Sequence, residues 1–260
     1  MNSRSVSFDR AAGFYDQTRD LPPELAQAQT ELLCEELAAT TRCLEIGVGT
    51  GRIALPLAGA GIHVAGVDLS PAMLGRLRAK GGGAVPVAVA DARRLPFGAA
   101  AFDAVLACHV LHLVQAWADV ADEALRVLRP GGTFLVSQGG QSGDETALEL
   151  RKRLRQAAGL ADVAGRVGLH GMDELDRHVA ARGVGVRHLP TLRNTQTRSV
   201  AEFLDQVAQQ YYSWTWDLDE ATVRQAAAEV RVWAEHRWGD LTVAQMGAGS
   251  LRWHAYDVPA

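Results

Sequence analysis

Between residues 41 and 140 short apolar runs alternate with stretches whose apolar positions recur every three to four residues. The runs at 41–46, 62–69, 85–90, 102–110 and 133–138 predict strands. The stretches at 51–60, 71–80 and 116–128 predict helices. In the second of these Ser70 stands as N-cap with Pro71 at the first helical position, and in the third Val120, Ala124, Leu125 and Leu128 keep a helical period. Arg129-Pro130-Gly131-Gly132 reads as a turn. Strand–helix alternation of this kind predicts a parallel sheet covered by helices on both faces, with ligands at the carboxyl ends of its strands.

The flanks are different. Residues 8–38 hold two helical stretches split by Pro22-Pro23. Beyond 141 come a charged helix to about 160, another at about 172–181 and a strand near 184–189. Ser199-x-x-Glu202 is a capping box opening a helix to about 212. A long helix at about 219–238 and a strand near 249–257 follow. With no internal repeat or low-complexity linker, the expected organisation is an N-terminal helical lid (1–40) and a ligand-binding core (41–190). A helical cap (191–248) inserted between the last two strands and a final core strand (249–260) complete it.

Composition narrows the function classes. The chain has 260 residues, 48% of them hydrophobic and 22% charged, enough for a sizeable core and incompatible with wholesale disorder. A net charge of −4 argues against a broad nucleic-acid-binding surface. Cys34, Cys43 and Cys108 have no zinc or C-x-x-C spacing, so neither a metal nor a disulfide is implied. The first residues carry no apolar run and no stretch approaches a bilayer span, so a soluble, cytoplasmic protein is expected.

The sharpest chemical feature is Glu45-Ile46-Gly47-Val48-Gly49-Thr50-Gly51-Arg52, at a strand-to-helix junction. Glycines there allow positive φ and close approach of a ligand to the backbone. A P-loop would require Gly-Lys-Ser/Thr, which is absent, and a dinucleotide fingerprint would require glycine where Arg52 stands. A nucleoside ligand without a pyrophosphate remains. Asp68, ending the second strand, can accept both hydroxyls of a ribose, or serve as an N-cap beside Ser70. Asp91, ending the third strand before Ala92, can accept an adenine amine, or close an Asx-turn.

Taken with Arg94-Leu95-Pro96-Phe97, Phe102-Asp103 and Leu128-Arg129-Pro130-Gly131-Gly132, this order resembles the class I S-adenosylmethionine-dependent methyltransferases, in the type 11 group related to the ubiquinone/menaquinone-biosynthesis enzymes. The likeness covers about residues 8–140 well and the remainder only in plan. It implies a three-layer, Rossmann-like, seven-stranded and mostly parallel sheet plus a helical cap. It also implies S-adenosyl-L-methionine as cofactor, with S-adenosyl-L-homocysteine as product. Carried over, Glu45 and the backbone of Gly47, Gly49 and Gly51 would hold the methionine part, Glu45 either binding the amino group or orienting the loop. Asp68 would bind the ribose, Leu69 and Met73 would line the adenine, and Asp91 and Ala92 would meet it. Cys108 and His109 would lie near the sulfonium. Phe14-Tyr15-Asp16, with Arg19 one turn on, matches a family segment that closes over the cofactor.

Methyl transfer from a sulfonium is an in-line displacement that needs orientation, a dry pocket and sometimes a base. His109 and His112 are the candidate bases, with simple packing beside the cofactor as the alternative. Nine of 16 aromatic residues fall between Phe203 and Tyr256, so Tyr211, Tyr212 and Trp214 in the cap are expected to wall a substrate pocket or to pack cap against core. The motif of nucleic-acid amino-methylases is missing after the fourth strand, which favours a small-molecule acceptor. A non-catalytic, regulatory S-adenosylmethionine/S-adenosylhomocysteine-binding protein is the second reading. A nicotinamide-dependent oxidoreductase is the third, opposed by Arg52.

Overall fold

The computed structural model describes residues 7–19, 21–81, 83–138, 144–160, 168–193, 198–247 and 250–260. Two compact units emerge: Met1–Gly139 with Val167–Leu192 and Leu251–Ala260, and Gly140–Arg166 with Arg193–Ser250. The first runs α1 (Tyr15–Arg19), α2 (Pro23–Glu36), β1 (Cys43–Ile46), α3 (Ala54–Gly59), β2 (Val64–Asp68), α4 (Pro71–Gly81), β3 (Val87–Val89), β4 (Phe102–Cys108), α5 (Trp117–Val127) and β5 (Leu128–Ser137). After α6 (Glu145–Ala157) come α7 (Met172–Ala180), β6 (Gly185–His188), β7 (Leu192–Arg193), β8 (Arg198–Ser199), α8 (Val200–Ala208), α9 (Glu220–Trp238), β9 (Gln245–Met246), β10 (Ser250–Leu251) and β11 (His254–Asp257).

The first unit is built on a seven-stranded sheet in the order β3-β2-β1-β4-β5-β11-β6. β1 to β5 are mutually parallel, and β11 runs antiparallel to both β5 and β6. Period-two alternation sorts its side chains into two cores. Leu44, Ile46, Val105, Phe134, Val136 and Tyr256 pack with Val120 and Ala124 of α5 and Leu175 and Val179 of α7. Cys43, Ala104, Leu106, Leu135 and Ala255 face Leu32 and Leu33 of α2, Leu57 of α3 and Leu74 and Leu77 of α4. Burial on both faces explains why every residue of β4 is buried and why its sequence reads as one apolar run broken only by Asp103.

Several boundaries differ from the sequence expectation. The fourth strand stops at Cys108 because His109 takes a left-handed φ of 58°, which no strand can continue. The strand expected at 133–138 starts at Leu128, its partner β4 slipping register between Phe102 and Ala104. Within the expected lid, α2 is a core helix. Within the expected core, α6 belongs to the second unit, since its stripe Ala147, Leu150 and Leu154 packs on Phe203 and Leu204 of α8 and Val223 and Val230 of α9. The capping box is present: Glu202 N donates to Ser199 Oγ, and Ser199 N donates to the Glu202 carboxylate. Among the described residues no helix is long and apolar enough to cross a membrane.

Candidate active site

The loop between β1 and α3 is fixed by the strand beside it. The N–H groups of Gly47 and Val48 both donate to Val67 O, at 2.8 and 3.0 Å, and Gly49 N–H donates to Asp68 Oδ2 at 2.9 Å. Gly47 and Gly51 have φ of 68° and 81°, and a Cβ on Gly47 would sit 2.3 Å from Val110 Cγ2. Glycine is therefore required at Gly47 twice over, by conformation and by space. On β2, a Cβ on Gly66 would come within 2.7 Å of Val48 Cβ, so the missing side chain of one strand makes room for the loop of the next. Met73 of α4 is buried against the same loop, its Cε reaching 3.3 Å from a Cβ position at Gly49.

Glu45 is the unusual group. Its side chain is 3% exposed, and it accepts a hydrogen bond from the Ala54 N–H, yet Oε2 has no hydrogen-bond partner. Burial pushes its pKa up to about 8, with nearby Asp68 adding to the rise and Arg52 and the Ala54 N–H opposing it. A buried carboxyl oxygen with nothing to bond is costly unless a ligand supplies the partner. Together with the glycine loop this fits a ligand that offers a cationic amino group, as S-adenosylmethionine does. Cys108 is buried and its thiol is pushed up to about 12, chiefly by burial, so it stays protonated at neutral pH and is no nucleophile.

Asp68 lies beside the loop, its Oδ1 accepting from Ser70 N at 2.8 Å and its Oδ2 from Gly49 N. Burial raises its pKa against the lowering effect of those amides. Leu69 next to it is exposed. Asp91 takes the Asx-turn: Arg93 N donates to Oδ1 at 3.0 Å, and the Arg93 guanidinium caps the carboxylate. This pairing holds the Asp91 carboxyl below the usual range, and Ala92 beside it is half-buried.

Beyond β4, His109 N–H donates to Ser137 O at 2.8 Å while its ring stands edge-on to His112, centroids 6.4 Å apart. A left-handed non-glycine residue costs roughly 1–2 kcal/mol. Such strain at a strand's carboxyl end is characteristic of functional sites.

The N-terminal segment is tied to this region by contacts that sequence reasoning missed. Asp9 accepts from the Ser70 hydroxyl and from Ala72 N, at the start of α4. Asp16 accepts from Thr50 Oγ1 at 2.6 Å and from Lys80 Nζ at 2.8 Å. Lys80 and Thr50 lower the Asp16 pKa despite its partial burial, which works the other way. Tyr15 packs edge-on against Phe8 at 5.9 Å. The side chain of Arg19 lies outside the described residues. The available signals were Asp16 in the Tyr15-Asp16 pair and Thr50 within the glycine loop.

In the second unit, Tyr212 and Trp214 pack on the core of that unit, and the Tyr212 hydroxyl pairs with Gln206 and Arg198. Tyr211 is half-buried. The structure thus gathers Glu45, the glycine loop, Asp68, Met73 and the N-terminal segment in the first unit, and places Tyr211, Tyr212 and Trp214 in the second.

Residues 44–136 match the model of a methyltransferase domain family. Over 140 residues the chain is 36% identical to the demethylmenaquinone methyltransferase of Clavibacter sepedonicus, covering 52% of this chain and 57% of that protein. It spans about half the length of the curated relatives it matches. Among solved structures, an S-adenosylmethionine-dependent methyltransferase from Thermotoga maritima superposes with a TM-score of 0.57 at 18% identity, over 96% of this chain and 97% of that one. Phosphoethanolamine N-methyltransferase 2 of Haemonchus contortus, in complex with S-adenosyl-L-methionine, gives 0.56 at 18% identity, over 97% of this chain and 57% of that one.

Proposed function

Residues 44–136 being a class I S-adenosylmethionine-dependent methyltransferase domain, we propose that the chain transfers a methyl group from S-adenosylmethionine to a small, partly apolar acceptor. The observation that carries this reading is the buried, partnerless Glu45 Oε2 beside the glycine loop. When bound, the cofactor supplies an electrophilic methyl group on a sulfonium whose positive charge already activates it.

The chain's own residues have three tasks. Binding falls to Glu45 for the amino group, to the 47–51 backbone for the methionine part, and to Asp68 for the ribose hydroxyls. Leu69, Met73 and Ala92 offer apolar surface to the base. With the Asp91 carboxylate committed to Arg93, the adenine amine must share it with that guanidinium. Excluding water falls to the N-terminal segment, through Asp9, Tyr15 and Asp16, with Arg19 continuing the same helix. Handling a proton falls to His109 and His112, either of which as neutral imidazole can take one from an acceptor hydroxyl or amine. The chain's net negative charge suits an uncharged or weakly polar acceptor better than a phosphate backbone.

Calorimetric titration with S-adenosylhomocysteine and, separately, with NAD tests the reading. Wild type should bind the first and not the second. Asp68→Ala removes hydrogen bonds to a charged group, each worth about 1.5–3 kcal/mol, so its affinity for S-adenosylhomocysteine should fall at least about tenfold. Equal affinity in the variant would remove Asp68 from the site.

Deleting residues 1–20 takes away the Asp9–Ser70 and Asp16–Thr50 contacts but nothing from α2 or the sheet. The truncated protein should keep its far-ultraviolet dichroism and thermal midpoint to within a few degrees and bind S-adenosylhomocysteine several-fold more weakly. Undiminished binding would show that the segment closes nothing.

A further inference from the structure

At the far edge of the sheet three potential metal ligands converge that methyl transfer does not use. His188 ends β6 and His254 opens β11, and antiparallel register sets the two directly opposite one another. Directly opposed residues share a face, so both imidazoles project to the same side, their centroids 4.3 Å apart. Asp176 of α7 meets them there, with Oδ1 3.0 Å from His254 Nδ1 and Oδ2 3.4 Å from His188 Nε2. All three ligand atoms lie within 4.8 Å of one another.

From this juxtaposition we propose that Asp176, His188 and His254 form a binding site for a borderline divalent transition-metal ion such as Zn2+. Four ligands at about 2.0–2.1 Å around a tetrahedral ion stand roughly 3.3 Å from each other, so ligand atoms within 4.8 Å need only a small inward turn of the side chains, the Asp176 carboxylate then offering one oxygen to the ion. Two imidazoles and one carboxylate favour zinc, cobalt or nickel over magnesium or calcium, which prefer oxygen alone. Tyr256, two residues along the same face of β11, donates its hydroxyl to Asp176 Oδ1 at 2.7 Å and so holds the carboxylate in place.

His254 is 12% exposed, whereas His188 is 64% exposed, so solvent reaches the site from the His188 side and can complete the coordination with water. On binding, His254 Nδ1 and His188 Nε2 give up their hydrogen bonds to Asp176 and present lone pairs to the ion, each proton passing to solvent while the ring's other nitrogen carries the one that remains or is taken up. The ion would join β6, β11 and α7, so it acts on stability rather than on the methyl-transfer site.

The test uses the full chain, freed of any affinity tag, stripped with chelator and dialysed. Titration with Zn2+ should show one equivalent bound, and Co2+ should give visible absorption bands of a nitrogen–oxygen site. His188→Ala and His254→Ala should each weaken Zn2+ binding at least about tenfold and remove the Co2+ bands. His236→Ala, at an exposed position on α9, should change neither. Zn2+ should raise the thermal midpoint of wild type and of His236→Ala, but of neither site variant. Should the half-buried His254 variant fail to fold, His188→Ala alone decides, its position being too exposed for the fold to depend on it. No Zn2+ binding by wild type, or equal binding by wild type and His188→Ala, overturns the proposal.

Discussion

Replacing Asp103 with alanine should destabilise the protein by about 3 kcal/mol, at the lower end of the range for breaking a buried charge pair. Its side chain is 7% exposed and accepts from Thr41 N, Thr41 Oγ1, Arg42 N and Arg129 Nε at 2.6–2.8 Å. Alanine would strand these donors together, though Arg129, 44% exposed, can turn back to water. Burial alone would raise the Asp103 pKa. The hydrogen bonds from Thr41, Arg129 and Arg42 more than reverse this and hold the carboxyl far below its usual range.

A depressed folded pKa means that the contribution is complete above the unfolded value, near 3.9, and is lost as pH falls towards the folded one. The difference in unfolding free energy between wild type and Asp103→Ala, measured with denaturant, should therefore be constant from pH 7 to about 5 and shrink below 4. A difference that stays flat to pH 3 would contradict this account.

Glu45→Gln should have opposite effects on stability and on binding. The carboxyl of Glu45 titrates at about 8 in the ligand-free fold, against about 4.3 unfolded. Between those values the native state holds a proton that the unfolded state has lost, so stability drains away as pH rises through the window and levels off above 8. Glutamine cannot ionise and can still accept from Ala54 N, so at pH 9 the variant should be the more stable, by on the order of a few kcal/mol. Its affinity for S-adenosylhomocysteine at that pH should nevertheless fall at least about tenfold, through loss of a charge-assisted hydrogen bond.

For wild type the same pKa implies that binding a cationic amino group at pH 7 ejects close to one proton. Affinity should rise from pH 6 to 8 and then flatten. Calorimetry in buffers of different ionisation enthalpy measures the proton count. A count of zero at pH 7 would place the amino group elsewhere and leave Glu45 only its bond to the loop at Ala54.

The parallel core was legible because burial on both faces turns its strands into apolar runs, and because glycine and proline mark the junctions. What was not legible depended on three-dimensional partners. Nothing local distinguishes Asp91 as an adenine acceptor from Asp91 as an Asx-turn, since the choice is made by Arg93 folding back. The membership of α6 was hidden because an amphipathic stripe does not say which neighbour covers it. Phe102-Asp103 is part of the family pattern in the sequence, and the structure shows Asp103 fastening the entry of β1 to β4 and to the start of β5. The tie of Asp16 to the glycine loop was not legible, because its partners Thr50 and Lys80 lie 34 and 64 positions away.

The empty space at Gly66 has an evolutionary consequence. Positions 48 and 66 compete for one volume: the valine of the loop fills what the glycine of β2 leaves vacant. Position 66 cannot gain a side chain while valine stands at 48 without pushing the loop off the Val67 carbonyl that fixes it. Among descendants of a common ancestor the two positions should therefore drift as a pair, alanine or serine at 66 accompanying glycine or alanine at 48. In the laboratory, Gly66→Ala should be better tolerated on a Val48→Ala background than on its own. The tolerance of the loop to mutation is thus set in part by a residue on the neighbouring strand.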